Sequence, residues 1–178
     1  FIIWHDSEPS LYRLNAHDQI YLANSNPKAV LGIQENYQFL LYENGYALWQ
    51  KKQTQQQAIR TQKSSTRDVI LSQWFQAPGF DSLHVQYGRT NFKLPLSDKI
   101  RSSIYKGRYF KITYKLANGK EAIHFLALAS LQKDFILQPY YTNPRLDFEI
   151  VEAIKIQPMA PKFNGHKVRL AQYNRYSF

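Results

Sequence analysis

Phe110-Lys111-Ile112-Thr113-Tyr114-Lys115-Leu116 runs into Ala117-Asn118-Gly119-Lys120, and the chain returns as Ala122-Ile123-His124-Phe125-Leu126-Ala127-Leu128. The large apolar residues at 110, 112, 114 and 116 alternate with Lys and Thr. A period of two places one set on each face of a half-buried strand. The polar turn then makes the pair a β-hairpin. The return run has enough Ala and Leu for a helix, but its place behind the turn outweighs that content.

A second hairpin lies upstream. Tyr37-Gln38-Phe39-Leu40-Leu41-Tyr42-Glu43 is followed by Asn44-Gly45 and Tyr46-Ala47-Leu48-Trp49. Asn-Gly supplies the two positive-φ residues of a type I′ turn. Both faces of the first run carry apolar residues, so cover on both sides is expected. Further strands follow from shorter signals. Leu83, Val85 and Tyr87 alternate with His84 and Gln86. Residues 92–96 read as extended, with Pro95 at an edge or strand end. Phe135-Ile136-Leu137 forms a short strand closed by Gln138-Pro139. Val168, Leu170 and Tyr173 belong to a last strand after Asn164-Gly165.

Two stretches interrupt the β pattern. Residues 51–67 are almost wholly polar and read as a linker, a loop or a solvated helix. They divide the chain into a hairpin-containing part, 1–50, and a larger β part, 68–178. The smaller part is too short to be a secure domain by itself, so one β-rich domain over 1–178 is the simpler organisation. Asn143-Pro144-Arg145-Leu146 opens a stretch that reads as a helix to Ile154. Asn143 would cap it, Pro144 would take its first position, and Leu146, Ile150 and Ala153 would share a face. The sequence thus predicts a mainly β fold, an antiparallel β-sandwich with one or two short helices.

Composition narrows the class. Apolar residues make up 44% of the 178, enough for a real core, so general disorder is excluded. The absence of Cys excludes disulfides and thiolate metal sites. The formal net charge of +10 attracts phosphates, acidic glycans or an anionic membrane surface. The basic residues are scattered, and Lys51-Lys52 is their sole adjacent pair. The chain opens on Phe1-Ile2-Ile3-Trp4 rather than Met, which reads as a processed product or an excised piece. Those residues are either the last turn of a membrane helix, with Trp4 at the interface, or a short first strand.

Three pieces of the larger part carry a resemblance. They are Asn91-Phe92-Lys93-Leu94-Pro95-Leu96, the hairpin with its polar turn, and Lys133-Asp134-Phe135-Ile136-Leu137-Gln138-Pro139-Tyr140-Tyr141 with Asp147-Phe148 after it. Their order resembles the extracytoplasmic C-terminal β-sandwich of poorly characterised bacterial multi-spanning membrane proteins. Asp134 stands where that pattern has Gly, and Gln138 where it has Ser. The resemblance spans residues 70–178. It implies a jelly-roll fold like that of carbohydrate-binding modules. It also implies a periplasmic or cell-envelope location, with attachment to a membrane helix upstream of Phe1. It implies no catalytic residue.

The residues offer little for catalysis. The five His at 5, 17, 84, 124 and 166 form no His-x-x-x-His pair or other metal spacing. A Gly-x-Ser-x-Gly elbow, a Cys nucleophile and a phosphate-cradling Gly loop are all missing. Thirteen acidic residues would be enough for a glycosidase pair, but nothing selects two of them. The expectation is a non-enzyme without metal or cofactor.

Binding is better supplied. A sugar's apolar face stacks on an open aromatic ring, and its hydroxyls meet planar polar groups. Trp74-Phe75-Gln76 and Tyr140-Tyr141-Thr142-Asn143 place rings beside amides near strand ends, where contact loops gather. Trp74, Tyr140, Tyr141, Asn143 and Trp49 are therefore the candidate ligand-binding residues. Against each stands the commoner role of an aromatic in a β-sandwich, which is core. The expected partner is a glycan or anionic envelope polymer. A membrane surface needs only the positive field and proximity. Nucleic acid lacks the RNP, zinc-knuckle and helix-turn-helix signals it would need. The alternative is an assembly domain, docking on a partner protein or on its own membrane part, with the aromatic and basic tail 173–178 as one contact.

Overall fold

The computed structural model describes residues 2–5, 32, 33, 35–44, 46–53, 61–82, 84–95, 109–142 and 147–176. The strands are β1 (Ile2–His5), β2 (Tyr37–Glu43), β3 (Tyr46–Lys51), β4 (Thr61–Ile70), β5 (Trp74–Gln76), β6 (His84–Thr90), β7 (Tyr109–Leu116), β8 (Glu121–Ala127), β9 (Phe135–Gln138), β10 (Tyr140–Tyr141), β11 (Phe148–Glu149), β12 (Val151–Pro158) and β13 (Lys167–Tyr176). A five-residue helix, α1 (Leu128–Gln132), follows β8, and a 3-10 turn spans Pro161–Phe163.

Two four-stranded antiparallel sheets form the sandwich, with orders β5-β12-β7-β8 and β4-β13-β6-β9. The pairing is nested: β4 with β13, β5 with β12, β6 with β9 and β7 with β8. A long hairpin rolled on itself gives this order, and eight strands so arranged are a jelly roll. Contacts β13·β6 and β12·β7 then complete each sheet. The inner faces carry Phe110, Ile112, Tyr114, Leu126, Ile154 and Ile156 from one sheet, and Val69, Phe135, Val168 and Leu170 from the other, all buried. The hairpin of Phe110 to Leu128 is β7–β8, with Gly119 at φ 82° in its turn.

Two side chains cross the core. Tyr114 Oη donates to the Ile136 carbonyl at 2.8 Å. Gln138 on β9 donates from Nε2 to the Val151 carbonyl at 3.0 Å, and its Oε1 accepts from the Val151 amide at 2.8 Å. Gly88 on β6 sits where no Cβ fits. An added Cβ would lie 2.8 Å from Phe135 Cζ and 2.9 Å from Leu170 Cδ1, both buried rings or branches of the core. Gly88→Ala is therefore expected to destabilise the fold by about 1–3 kcal/mol through overpacking. A denaturant midpoint equal to that of the parent protein would show that Phe135 and Leu170 have room to move.

The remaining strands form a three-stranded sheet, β1-β3-β2, and the pair β10–β11. Ile2–His5 is thus the short first strand of the two readings. No helix among the described residues is long and apolar enough to cross a membrane.

Three expectations are corrected. Residues 61–67 are not linker or helix but the first part of β4, while 54–60 lie outside the described residues. β4 pairs only with β13 among the described strands, so it is an edge, and Gln62, Ser64, Ser65, Thr66 and Asp68 are exposed, which fits its polar composition. The helix over 143–154 does not form from Asp147 onward, and Asn143 to Leu146 lie outside the described residues. Ile154, Ile156 and Pro158 are buried in alternation with Lys155 and Gln157. That period of two, paired on both sides, overrides the helical spacing of Ile150 and Ala153. Finally, β2 is not covered on both sides. A register shift between Phe39 and Leu41 breaks its alternation, and Leu40, Leu41 and Tyr42 are exposed. Residues 91–95 join no strand, although Phe92 and Leu94 are buried, and Leu83 and Leu96 lie outside the described residues.

Candidate functional site

The outer face of the sheet β5-β12-β7-β8 carries the exposed aromatic Trp74 among basic residues. Its phase is set by the core. Phe75 faces in against Ile154, so its neighbours Trp74 and Gln76 face out. Ile154 lies opposite Tyr114, and Ile112 opposite His124, so Lys155, Thr113 and Ile123 also face out. One row across the four strands therefore reads Trp74, Lys155, Thr113, Ile123. The next reads Gln157, Lys111, Phe125. Four strands span roughly 14 Å at ~4.8 Å per strand.

Trp74 is fixed from behind. The corner before it turns at Ser72, whose φ is 72°. Ser72 Oγ hydrogen-bonds Asn164 Oδ1 at 2.7 Å, and its amide donates to the Ile156 carbonyl at 2.8 Å. Leu71 is buried in the same corner. The Arg67 guanidinium lies 5.1 Å from the Phe75 ring centre and donates to the Gln76 carbonyl. β5 is thereby tied to β4 as well as to β12. Lys155 Nζ stands over one face of the Trp74 ring, 4.6 Å from its centre, a cation–π distance. Trp74 remains 41% exposed.

Charge is unevenly spread over this face. At one end Lys115 Nζ reaches Glu152 at 3.4 Å, and Glu121 lies opposite Lys115 in register. Toward the other end Lys111 and Lys155 have no carboxylate partner among the described residues. Three acids elsewhere are engaged: Asp68 with Lys167, Asp134 with Arg89, Asp81 with His84. No group of three His, Cys, Asp or Glu among the described residues is placed to hold a metal.

The other candidate residues lie elsewhere. Trp49 is buried on β3, edge-on to Phe39 at 5.5 Å. Tyr140 and Tyr141 are buried, at 5% and 4% exposure. Tyr140 Oη shares a 2.8 Å hydrogen bond with His124 Nε2, and its ring lies 5.4 Å from that of Tyr114. Burial pushes the Tyr140 phenol above its usual value and the His124 imidazole down to about 4. These rings pack the interior and offer no face to solvent. Asn143 lies outside the described residues.

The chain matches no family model, no curated protein and no solved structure. Sequence reasoning found Trp74 but passed over Lys111, Lys155, Gln157 and Phe125. The signal was present: the alternation Phe110, Ile112, Tyr114 assigns Lys111 to the opposite face. What the sequence does not show is that β12 lies alongside, since the helical spacing runs only to Ile154, one residue short of Lys155.

Proposed function

We propose that this chain is a non-catalytic, extracytoplasmic domain that binds glycan or an anionic cell-envelope polymer on the outer face of the β5-β12-β7-β8 sheet. The observation that carries the reading is Trp74, a tryptophan 41% exposed on a strand tied to both β4 and β12. A rigid ring costs little ordering entropy on binding. Gln157, Lys111 and Lys155, all part-exposed, supply polar partners beside it, whereas Thr113 between them is buried. The periplasmic or envelope location and the kinship to extracytoplasmic sandwich domains belong to the same proposal, supported by the jelly-roll topology and the resemblance of residues 70–178.

The test is a glycan-array screen of the purified chain at physiological and at high salt. Saturable binding that survives salt and is lost in Trp74→Ala is the expected result. Binding that salt removes, with Trp74→Ala unaffected, would leave only a basic surface meeting polyanions. A second reading, assembly with a partner protein, has its own observation. Leu40, Leu41, Tyr42 and Tyr46 are all exposed around one hairpin tip. An array with no binding at all would favour it.

A further inference from the structure

Resting on that reading of the site, we infer that the outer face selects a saccharide bearing carboxylates, with Lys111 and Lys155 as its anion contacts and Trp74 as its stacking ring. Lys155 and Lys111 sit on the neighbouring strands β12 and β7. In register Lys155 faces Thr113, and Gln157 faces Lys111. The two lysines are therefore diagonal neighbours, ~7–8 Å apart at the backbone. Both face outward, and both lack a carboxylate partner among the described residues. Lys115, on the same face, already has Glu152. An anion is accordingly drawn to one end of the face and repelled from the other.

The ring chemistry agrees with this placement. Lys155 Nζ lies 4.6 Å from the Trp74 centroid, so stacking and charge occur within one contact. Lys155 covers one face of the indole, so a sugar ring stacks on the other face and a substituent carboxylate reaches the ammonium past the ring edge. Ile123 and Phe125 give the row an apolar floor, which suits a chain with both apolar faces and charges. The lysines are also spaced singly. Dense phosphate is held by guanidinium forks or by rows of backbone amides, and this face presents neither. Two separated point charges match a polymer with one carboxylate on each of successive units.

The probes are oligogalacturonate, its methyl ester, in which the same backbone carries no charge, and polyglycerol phosphate. The acid form is expected to bind roughly 3- to 20-fold more tightly than the ester, the gain of two exposed charge contacts. In Lys111→Gln/Lys155→Gln the acid and the ester should bind with equal affinity. Lys115→Gln should change neither, and Trp74→Ala should abolish binding of both. Equal affinity for acid and ester, with both lost in Trp74→Ala, would overturn carboxylate selection and leave a neutral glycan site. Tighter binding of polyglycerol phosphate than of the acid would also overturn it. Binding of every probe indifferent to Trp74→Ala, or of none, would instead overturn the site itself. Thermal unfolding of each variant at the parent temperature separates loss of contact from loss of fold.

Discussion

Between pH 6.5 and about pH 4 the folded protein is expected to lose about 3 kcal/mol of stability to one buried imidazole. His124 points into the sandwich from β8 and is 5% exposed. Its ring stacks on Tyr140 at 5.7 Å, and Nε2 shares its hydrogen bond with Tyr140 Oη. Burial disfavours the charged form and lowers the pKa from 6.5 to about 4. In the unfolded chain the same group takes a proton near 6.5. As pH falls below that value the unfolded state binds a proton that the folded state refuses. Stability is thus fully present above pH 6.5 and falls until the folded group also titrates near 4. About 2.5 pH units at ~1.36 kcal/mol each give the figure. Other groups add their own slopes. Asp68, held below the usual carboxylate value by its hydrogen bond from Lys167, adds a loss at still lower pH. Comparison with His124→Phe/Tyr140→Phe removes such shared slopes, because that variant replaces both polar partners with rings and leaves neither unsatisfied. Urea unfolding across the range should show the parent protein falling and the variant nearly flat from 6.5 to 4. Parallel curves would mean that water reaches His124.

The elements legible in the sequence were those whose evidence is local. Phe110 to Leu128 declared its period and its turn within 19 residues, and β7–β8 followed. Phe135-Ile136-Leu137 and Val168-Arg169-Leu170 were found for the same reason. The nested pairing was not legible, because β4 meets β13 across a hundred residues and carries no apolar signature. Thr61 to Arg67 is strand only because β13 provides its hydrogen bonds, an effect that no window of composition contains. The stretch after Asp147 misled in the opposite way. A plausible cap and an i, i+4 spacing suggested helix, whereas the decisive alternation began at Ile154 and needed two neighbours to become visible. The site shared this fate. A tryptophan's exposure depends on which face its strand turns outward, and that was fixed by Phe75 meeting Ile154. Trp49, Tyr140 and Tyr141 carry the same chemistry as Trp74 and were separated from it only by packing.

Gln138→Leu is expected to cost about 4 kcal/mol, although it exchanges one buried side chain for another of similar size. Gln138 is fully buried on β9; both ends of its amide bond Val151 of the opposite sheet, and Nε2 also reaches the Pro78 carbonyl at 3.3 Å. Leucine would leave the Val151 N–H and C=O without a partner, at about 1–3 kcal/mol for each group. A leucine fills the space, so the loss reads as polar rather than as cavity. Tyr114→Phe, which removes only the hydrogen bond to Ile136, serves as the smaller reference, at about 1–2 kcal/mol. Denaturant midpoints of the three proteins measure the difference. A loss below about 1 kcal/mol for Gln138→Leu would show that Val151 finds other partners. The position matters beyond stability. The register of β12 shifts between Val151 and Ala153, adding Glu152 as one extra residue. That extra residue lets Val151 and Ile154 both face inward, and it is why Lys155 emerges on the outer face opposite Trp74. Gln138 grips the residue at which this shift begins. Loosening it should therefore lower affinity at the outer face in the variant that still folds, although Gln138 itself is buried on the opposite sheet.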